Sequence, residues 1–334
     1  MNRAALVLLS IGTALFVALL AWHGVGSVMA TLAVAGWGLL AVTLFHLLPL
    51  ALDAAAIAVL LERPHRAGTA RHVLLARWAG ESVNSLLPAG QIGGPVLMAR
   101  HLAQHGLPMP EAAAAITVAT TMQALSQITF GLIGVGLFAF HAQSGALSAL
   151  RVPLLACALL LTGIVVAFWW AQRRGMFGHG MRLLSKLFGV GRSSDLATQA
   201  DAIDAAVRRL YGRRGKLVAS FALNLVAWLV GTGEVWLALE FLGHPVDWFD
   251  AMLLESVGQA IRGAAFAIPG SLGVQEGGYL LLAPLVGLPP ETALALSLAK
   301  RARELALGLP GIVYLHFTER RWLRRRPVGV RVAD

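Results

Sequence analysis

Long apolar runs, interrupted by Gly-Pro clusters and short basic stretches, make up the chain almost from end to end. Runs of about 20 apolar residues have the length a helix needs to cross a hydrocarbon core of roughly 30 Å. The pattern predicts full spans over residues 4–22, 29–61, 111–140, 153–171, 216–242 and 292–317. Two further segments are apolar but broken. "GESVNSLLPAGQIGGPVLMAR", Gly80 to Arg100, is too apolar for a soluble loop and too rich in Gly and Pro for one helix. "PGSLGVQEGGY", from Pro269, breaks the segment that begins at Trp248 in the same manner.

The basic residues set the expected orientation. They cluster in "ERPHRAGTARH", "QRRGMFGHGMRLLSKLFGVGR", "RRLYGRRGK" and "ERRWLRRRP", and the positive-inside rule assigns such loops to the cytoplasm. Keeping them inside makes residues 72–105 a hairpin that enters and leaves on the cytoplasmic side, and 248–288 one that enters and leaves outside. Arg151 is then the only basic residue in an external loop. The expected fold is an all-α integral membrane protein with about six transmembrane helices plus two oppositely oriented re-entrant helical hairpins, multi-pass, with the N- and C-termini cytoplasmic.

Non-helical backbone at membrane depth is tolerated only where protein or a water-filled cavity surrounds it. The two breaks also share wording, "ESVN" with "LPAGQIGGP" and "ESVG" with "IPGSLGVQEGG". Such an inverted-repeat-like pairing is the mark of transporters whose site lies near the midplane at discontinuous helices. The chain is read as one polytopic membrane domain, 1–334. It comprises a first half (1–171), a cytoplasmic connector (172–215) and a second half (216–334). In the connector Leu196, Ala200, Ile203, Val207 and Leu210 share a helical stripe, with Asp195, Asp201, Asp204, Arg208 and Arg209 largely off it. This predicts an amphipathic helix at the interface or docked on the bundle.

Composition strengthens the membrane reading. Of 334 residues 57% are hydrophobic and 13% charged, with a mean hydropathy of +0.71, where a soluble domain has roughly 25% charged residues. The net charge of +10 and pI near 11.1 reflect the basic loops, and aromatic side chains spaced to stack on bases are lacking, so no nucleic-acid partner is expected. Cys157, the single cysteine, excludes an intrachain disulfide framework. The N-terminal apolar run is longer than a signal peptide's core and ends at Trp22 without a clear cleavage site, which reads as an uncleaved span.

Ionisable groups inside a membrane are costly and mark cavities or partners. The first hairpin carries Arg77, Glu81, Asn84, Gln91 and Arg100, and the second Glu255, Gln259, Arg262, Gln275 and Glu276. Asp53 lies in the second span, Glu234 and Glu240 in the fifth, and Lys300, Arg301, Arg303 and Glu304 in the last. At 1.5 Å per residue, Lys300 lies roughly 15 Å from the start of its span, near mid-membrane. Lys300 and Glu304 are spaced to pair on one face, and Arg301 needs a separate acceptor such as Glu276 or Glu255. Arg262, Arg301, Lys300 and Arg303 outnumber the nearby Glu276 and Glu304 unless acids more distant in sequence contribute. That surplus predicts an anion site for a phosphate or carboxylate head group, helped by free N–H groups at the breaks. The competing reading is a set of buried ion pairs locking hairpins to spans.

The expected binding residues are Glu81, Asn84, Gln91, Arg100, Arg262, Gln275, Glu276, Lys300, Arg303 and Glu304, with Asp53, Glu81 and Glu276 placed to couple a proton or ion. His101 and His105 are four apart, but no third ligand is apparent, so no metal site is expected. "GLIGVG" around Gly131 fits close helix packing rather than nucleotide binding. No nucleophile elbow, H-E-x-x-H or P-loop occurs, so neither a cofactor nor an enzymatic activity is expected.

At "RWAGESVNSLLPAGQIGGPVLMAR" and "FAIPGSLGVQEGGYLLLAPLVGLPPETALALSLAKRARELALGLPG" the chain resembles the lysylphosphatidylglycerol synthase transmembrane region family. The family's first element, Asn followed by Leu-Pro and Gly, is matched by Asn84, Leu87, Pro88 and Gly93 or Gly94. Its P-G-x-L-G-x-x-E-G element is matched by Pro269, Gly270, Leu272, Gly273, Glu276 and Gly277. "GQIGGP" and "GVQEGGY" are similar to the hopanoid-biosynthesis-associated, HpnL-like members. The resemblance implies a bacterial inner-membrane protein handling an amphipathic lipid, a hopanoid or phospholipid, in the manner of a flippase. It also implies hopanoid biosynthesis enzymes as partners. The soluble synthase domain of larger relatives is absent from this sequence, so synthase activity is not implied. Small-residue helix faces would serve a homodimer or intrachain packing equally.

Overall fold

The computed structural model describes residues 17–19, 21–22, 25–61, 69–87, 93–141, 151–176, 194–264 and 271–325, and among them there is no strand. The helices are α1 (Val25–Ala35), α2 (Gly38–Phe45), α3 (Leu47–Leu60), α4 (Thr69–Leu86), α5 (Gly93–Gln104) and α6 (Met109–His141). They continue as α7 (Arg151–Arg173), α8 (Ser194–Tyr211), α9 (Arg214–Phe241), α10 (Trp248–Ala264), α11 (Val274–Leu282) and, after a 3-10 turn over Ala283–Val286, α12 (Pro290–Arg325).

Among the described residues three stretches are long and apolar enough to cross a membrane: Gly38–Leu60, Met109–Leu137 and Arg214–Phe241. The span expected over 29–61 is not one helix. Gly36 takes φ +46 between α1 and α2, a left-handed conformation that glycine adopts without steric cost. The chain therefore turns there, and α1 packs separately, mainly against α12. The last expected span, 292–317, lies within α12. At 36 residues that helix is about 54 Å long, but its central charges keep it out of the apolar class.

Both broken segments are pairs of helices. α4 and α5 run antiparallel and touch closely because Gly80 and Gly94 face each other: a Cβ on Gly94 would lie 2.5 Å from the Gly80 carbonyl oxygen. Asn84 completes the joint, its Oδ1 accepting a hydrogen bond from the Gly94 N–H at 3.0 Å, an N-terminal amide of α5 that its own helix leaves free. In the second pair Gly273 adopts φ +77 at the start of α11. The Glu276 carboxylate turns back to accept the Gly273 N–H at 2.7 Å.

α8 occupies the expected connector and is docked on the bundle against α6 and α7, with Ala200, Val207 and Leu210 buried. A buried chain of hydrogen bonds fastens this region: Tyr211 donates to Gln172 at 2.9 Å, and Gln172 donates to Thr121 at 2.7 Å. Two apolar cores form. One joins α1 and α2 to α9, α10, α11 and α12; the other joins α3, α4, α5, α6 and α8.

Candidate functional site

A cavity of about 370 Å³ is walled by residues of α3, α4, α5, α6, α9, α10 and α12. Apolar, membrane-grade helices supply much of its frame, yet nine ionisable side chains besides His46 line it. The cations are Arg77, Arg262, Lys300 and Arg303, and the acids Asp53, Glu81, Glu234, Glu255 and Glu304. Buried charges are tolerated when each is paired, and here every cation has a carboxylate. Arg77 donates to Asp53 at 2.6 Å and lies 3.4 Å from Glu81. Arg262 donates to Glu304 at 2.7 Å. Lys300 pairs with Glu255. Arg303 Nε is 3.0 Å from Glu234 Oε1, an ion pair by distance although its N–H does not point along that line.

His46, at the junction of α2 and α3, sits at the centre. Its Nδ1 is 2.8 Å from Glu234 and its Nε2 2.8 Å from Glu81. With both carboxylates ionised, each can only accept, so this geometry fits an imidazolium donating on both sides. Arg303 lies against the same ring, Nη1 at 2.7 and 2.8 Å from the two nitrogens. With His46 charged, five positive groups face five negative ones. The cation surplus expected from the sequence is thereby corrected: Glu81, Glu234 and Glu255, distant in sequence, are folded against the α12 cations.

Of the expected residues, Asp53, Glu81, Asn84, Arg262, Lys300, Arg303 and Glu304 line the cavity. Gln275 and Glu276 lie beside it and face α12. Gln275 donates to Ser297 at 3.1 Å and accepts from Arg262 at 3.3 Å; Glu276, fully buried, accepts from Ser297 at 2.9 Å and faces Arg301 at 3.4 Å. Arg100 is remote, paired with Glu319 at 2.6 Å and packed over Trp322. Gln91 falls outside the described residues. The expected Lys300–Glu304 pair is not made: Glu255 takes Lys300 while Glu304 meets Arg262 and, at 3.1 Å, Arg301. α10 presents its acid to the side of α12 where Lys300 points, and a cross-helix carboxylate displaces the one a turn away.

His46 is the central residue that the charge survey passed over. Its signal was present: a lone histidine in "LFHLLPLALD", seven residues before Asp53, a spacing that puts both on one helix face.

The chain matches the family model for the lysylphosphatidylglycerol synthase TM region over residues 6–311. It belongs to that family. The match takes in every described cavity residue, both broken helix pairs and the connector. No curated protein and no solved structure matches the chain. Membership in the lysylphosphatidylglycerol synthase TM region family makes this a membrane protein of a family associated with lipid handling. The cavity gathers ten ionisable side chains of this membrane protein around one space.

Proposed function

We propose that this protein translocates an amphipathic lipid across the bacterial inner membrane, with the lipid's polar head passing through the charged cavity and its apolar part remaining among the spans. The observation that supports this reading is the cavity itself. It has the volume of a head group, it lies between helices of both broken pairs, and side chains of both charge signs line it as close pairs. Burying ten ionisable groups around open space is costly, and a site that exchanges its internal partners for those of a ligand accounts for it.

Because the charges balance, the cavity suits a zwitterionic or neutral polyhydroxylated head better than a net anion. A phospholipid with both an ammonium and a phosphate can replace Glu–cation pairs one for one. A hopanoid bearing a polar head is the cargo implied by the HpnL-like resemblance. The two broken pairs, rocking as opposed inverted repeats with both termini cytoplasmic, would expose the site to each leaflet in turn.

A second reading has one observation in its favour, the completeness of the pairing. On it the charges lock hairpins to spans, and the protein binds lipid or docks hopanoid biosynthesis enzymes without moving anything. Gly231 separates the two. It lines the cavity, and a Cβ there meets nothing within 4 Å, so Gly231→Phe adds bulk to the cavity without removing any ion-pairing side chain. In proteoliposomes with labelled zwitterionic phospholipid or hopanoid, wild type should move lipid between leaflets and Gly231→Phe should not. Unchanged transfer in the variant, or none in wild type despite lipid binding, would favour the scaffold.

A further inference from the structure

At the end of the first hairpin opposite the Asn84–Gly94 joint, three imidazoles converge. His72 comes from the first turn of α4, His101 from the last turn of α5, and His105 directly follows it. The rings of His72 and His105 stack with centroids 3.9 Å apart, and those of His101 and His105 are 4.3 Å apart. One nitrogen of each can be chosen so that all lie within 4.8 Å of one another. The sequence offered only the His101/His105 pair; the antiparallel packing of α4 on α5 brings the third ligand.

The hydrogen bonding of these rings is incomplete. His101 is 1% exposed, and neither of its ring nitrogens has a partner; Nδ1 of His72 is also buried without one. Buried polar atoms are normally satisfied, and leaving one unsatisfied costs about 1–3 kcal/mol. His105 Nδ1, by contrast, donates to the His101 carbonyl oxygen at 2.8 Å. That bond fixes its tautomer and leaves Nε2 with a free lone pair, the arrangement that metal-binding histidines use.

We infer that His72, His101 and His105 form a site for a first-row divalent metal ion of the kind that imidazole nitrogen favours, Zn²⁺ above all. Three neutral imidazoles with a fourth position open to water are a recurrent Zn²⁺ ligand set. Zn–N bonds of about 2.0–2.1 Å in tetrahedral geometry need nitrogens about 3.3 Å apart. The present spread of up to 4.8 Å is wider than that, and His72 and His105, both partly exposed, are the rings with room to adjust around the buried His101. The ion satisfies one nitrogen of His101 and clamps the outer ends of α4 and α5, as Asn84 clamps the inner ends. The site shares no residue with the cavity, so it stands whether or not the protein moves lipid.

The test uses full-length protein in detergent, freed of any histidine tag and stripped with chelator, then equilibrated with Zn²⁺ or Co²⁺. Wild type should retain one equivalent of Zn²⁺, show the intense visible bands of four-coordinate Co²⁺, and unfold at a higher temperature with Zn²⁺ than without. His105→Gln, which alters a partly exposed ring, and His101→Gln should each weaken binding about tenfold or more and abolish the Zn²⁺-dependent rise. If His101→Gln misfolds, His105→Gln decides. Wild type that binds no Zn²⁺, or a folded His105→Gln protein that binds it as wild type does with the same thermal rise, overturns the proposal.

Discussion

Lys300 is 2% exposed, and Glu255, 4% exposed, is its carboxylate. Their pairing compensates two desolvation penalties rather than adding much net stability, so the pair matters most when half of it is removed. Lys300→Met leaves Glu255 facing Tyr279 and Gln259 with no cation of its own. It should lower stability by about 3–5 kcal/mol, whereas Lys300→Met with Glu255→Met should fall close to wild type. Thermal unfolding of the three proteins in one detergent checks this, and a double variant as unstable as the single one would show that the pair is not an isolated unit. Glu276 differs in kind. Its two oxygens serve the Gly273 N–H and the Ser297 hydroxyl, with Arg301 at 3.4 Å, so Glu276→Ala should loosen the start of α11 and leave Arg301 to Glu304 without removing a cavity-lining side chain.

At the scale of elements, the glycines of the first hairpin and of α9 make opposite predictions from the same residue type. Gly94→Ala would put a methyl group 2.5 Å from the Gly80 carbonyl and 2.6 Å from Asn84 Oδ1. Backbone cannot yield as a flexible side chain does. The variant should cost about 1–3 kcal/mol and expose the α4–α5 joint to proteolysis. Gly231→Ala meets nothing within 4 Å in the middle of α9 and should be neutral or stabilising by up to about 1 kcal/mol. Comparing the melting temperatures of both variants with wild type tests the pair. The broken segments were legible as elements because Pro and Gly at known spacing within apolar runs leave few alternatives. The turn at Gly36 was not, since one glycine in a long apolar run costs a helix only about 1 kcal/mol, and only the packing of α1 on α12 shows that the chain departs there.

For the molecule as a whole, helices of both apolar cores also wall the polar cavity, and access to that cavity is measurable. In a Cys157→Ser background, Gln127→Cys should react with a small, charged, membrane-impermeant thiol reagent, and a short-chain zwitterionic phospholipid should slow the reaction. Ala112→Cys, at a position 0% exposed in the second core, should stay unreactive until unfolding. A Gln127→Cys site as inert as the core control would mean that the cavity is closed to water and lipid alike.

Hydrophobic run length, Gly-Pro interruptions and a few conspicuous charges determined by themselves that the chain is helical, membrane-borne and broken twice, and they carried the family resemblance that the match over residues 6–311 bears out. Those features are local: a helix forms and crosses a membrane on the strength of some 20 neighbouring residues. Which charges neutralise which was decided only by the fold. His46 with Glu81 and Glu234, Lys300 with Glu255, and His72 with His101 and His105 are separated by tens to hundreds of residues. Electrostatic and ligand contacts act over a few ångströms of space irrespective of the length of chain between them. The apparent excess of cations in α12 therefore became a balanced cavity, and two histidines became three, only when the helices were packed together.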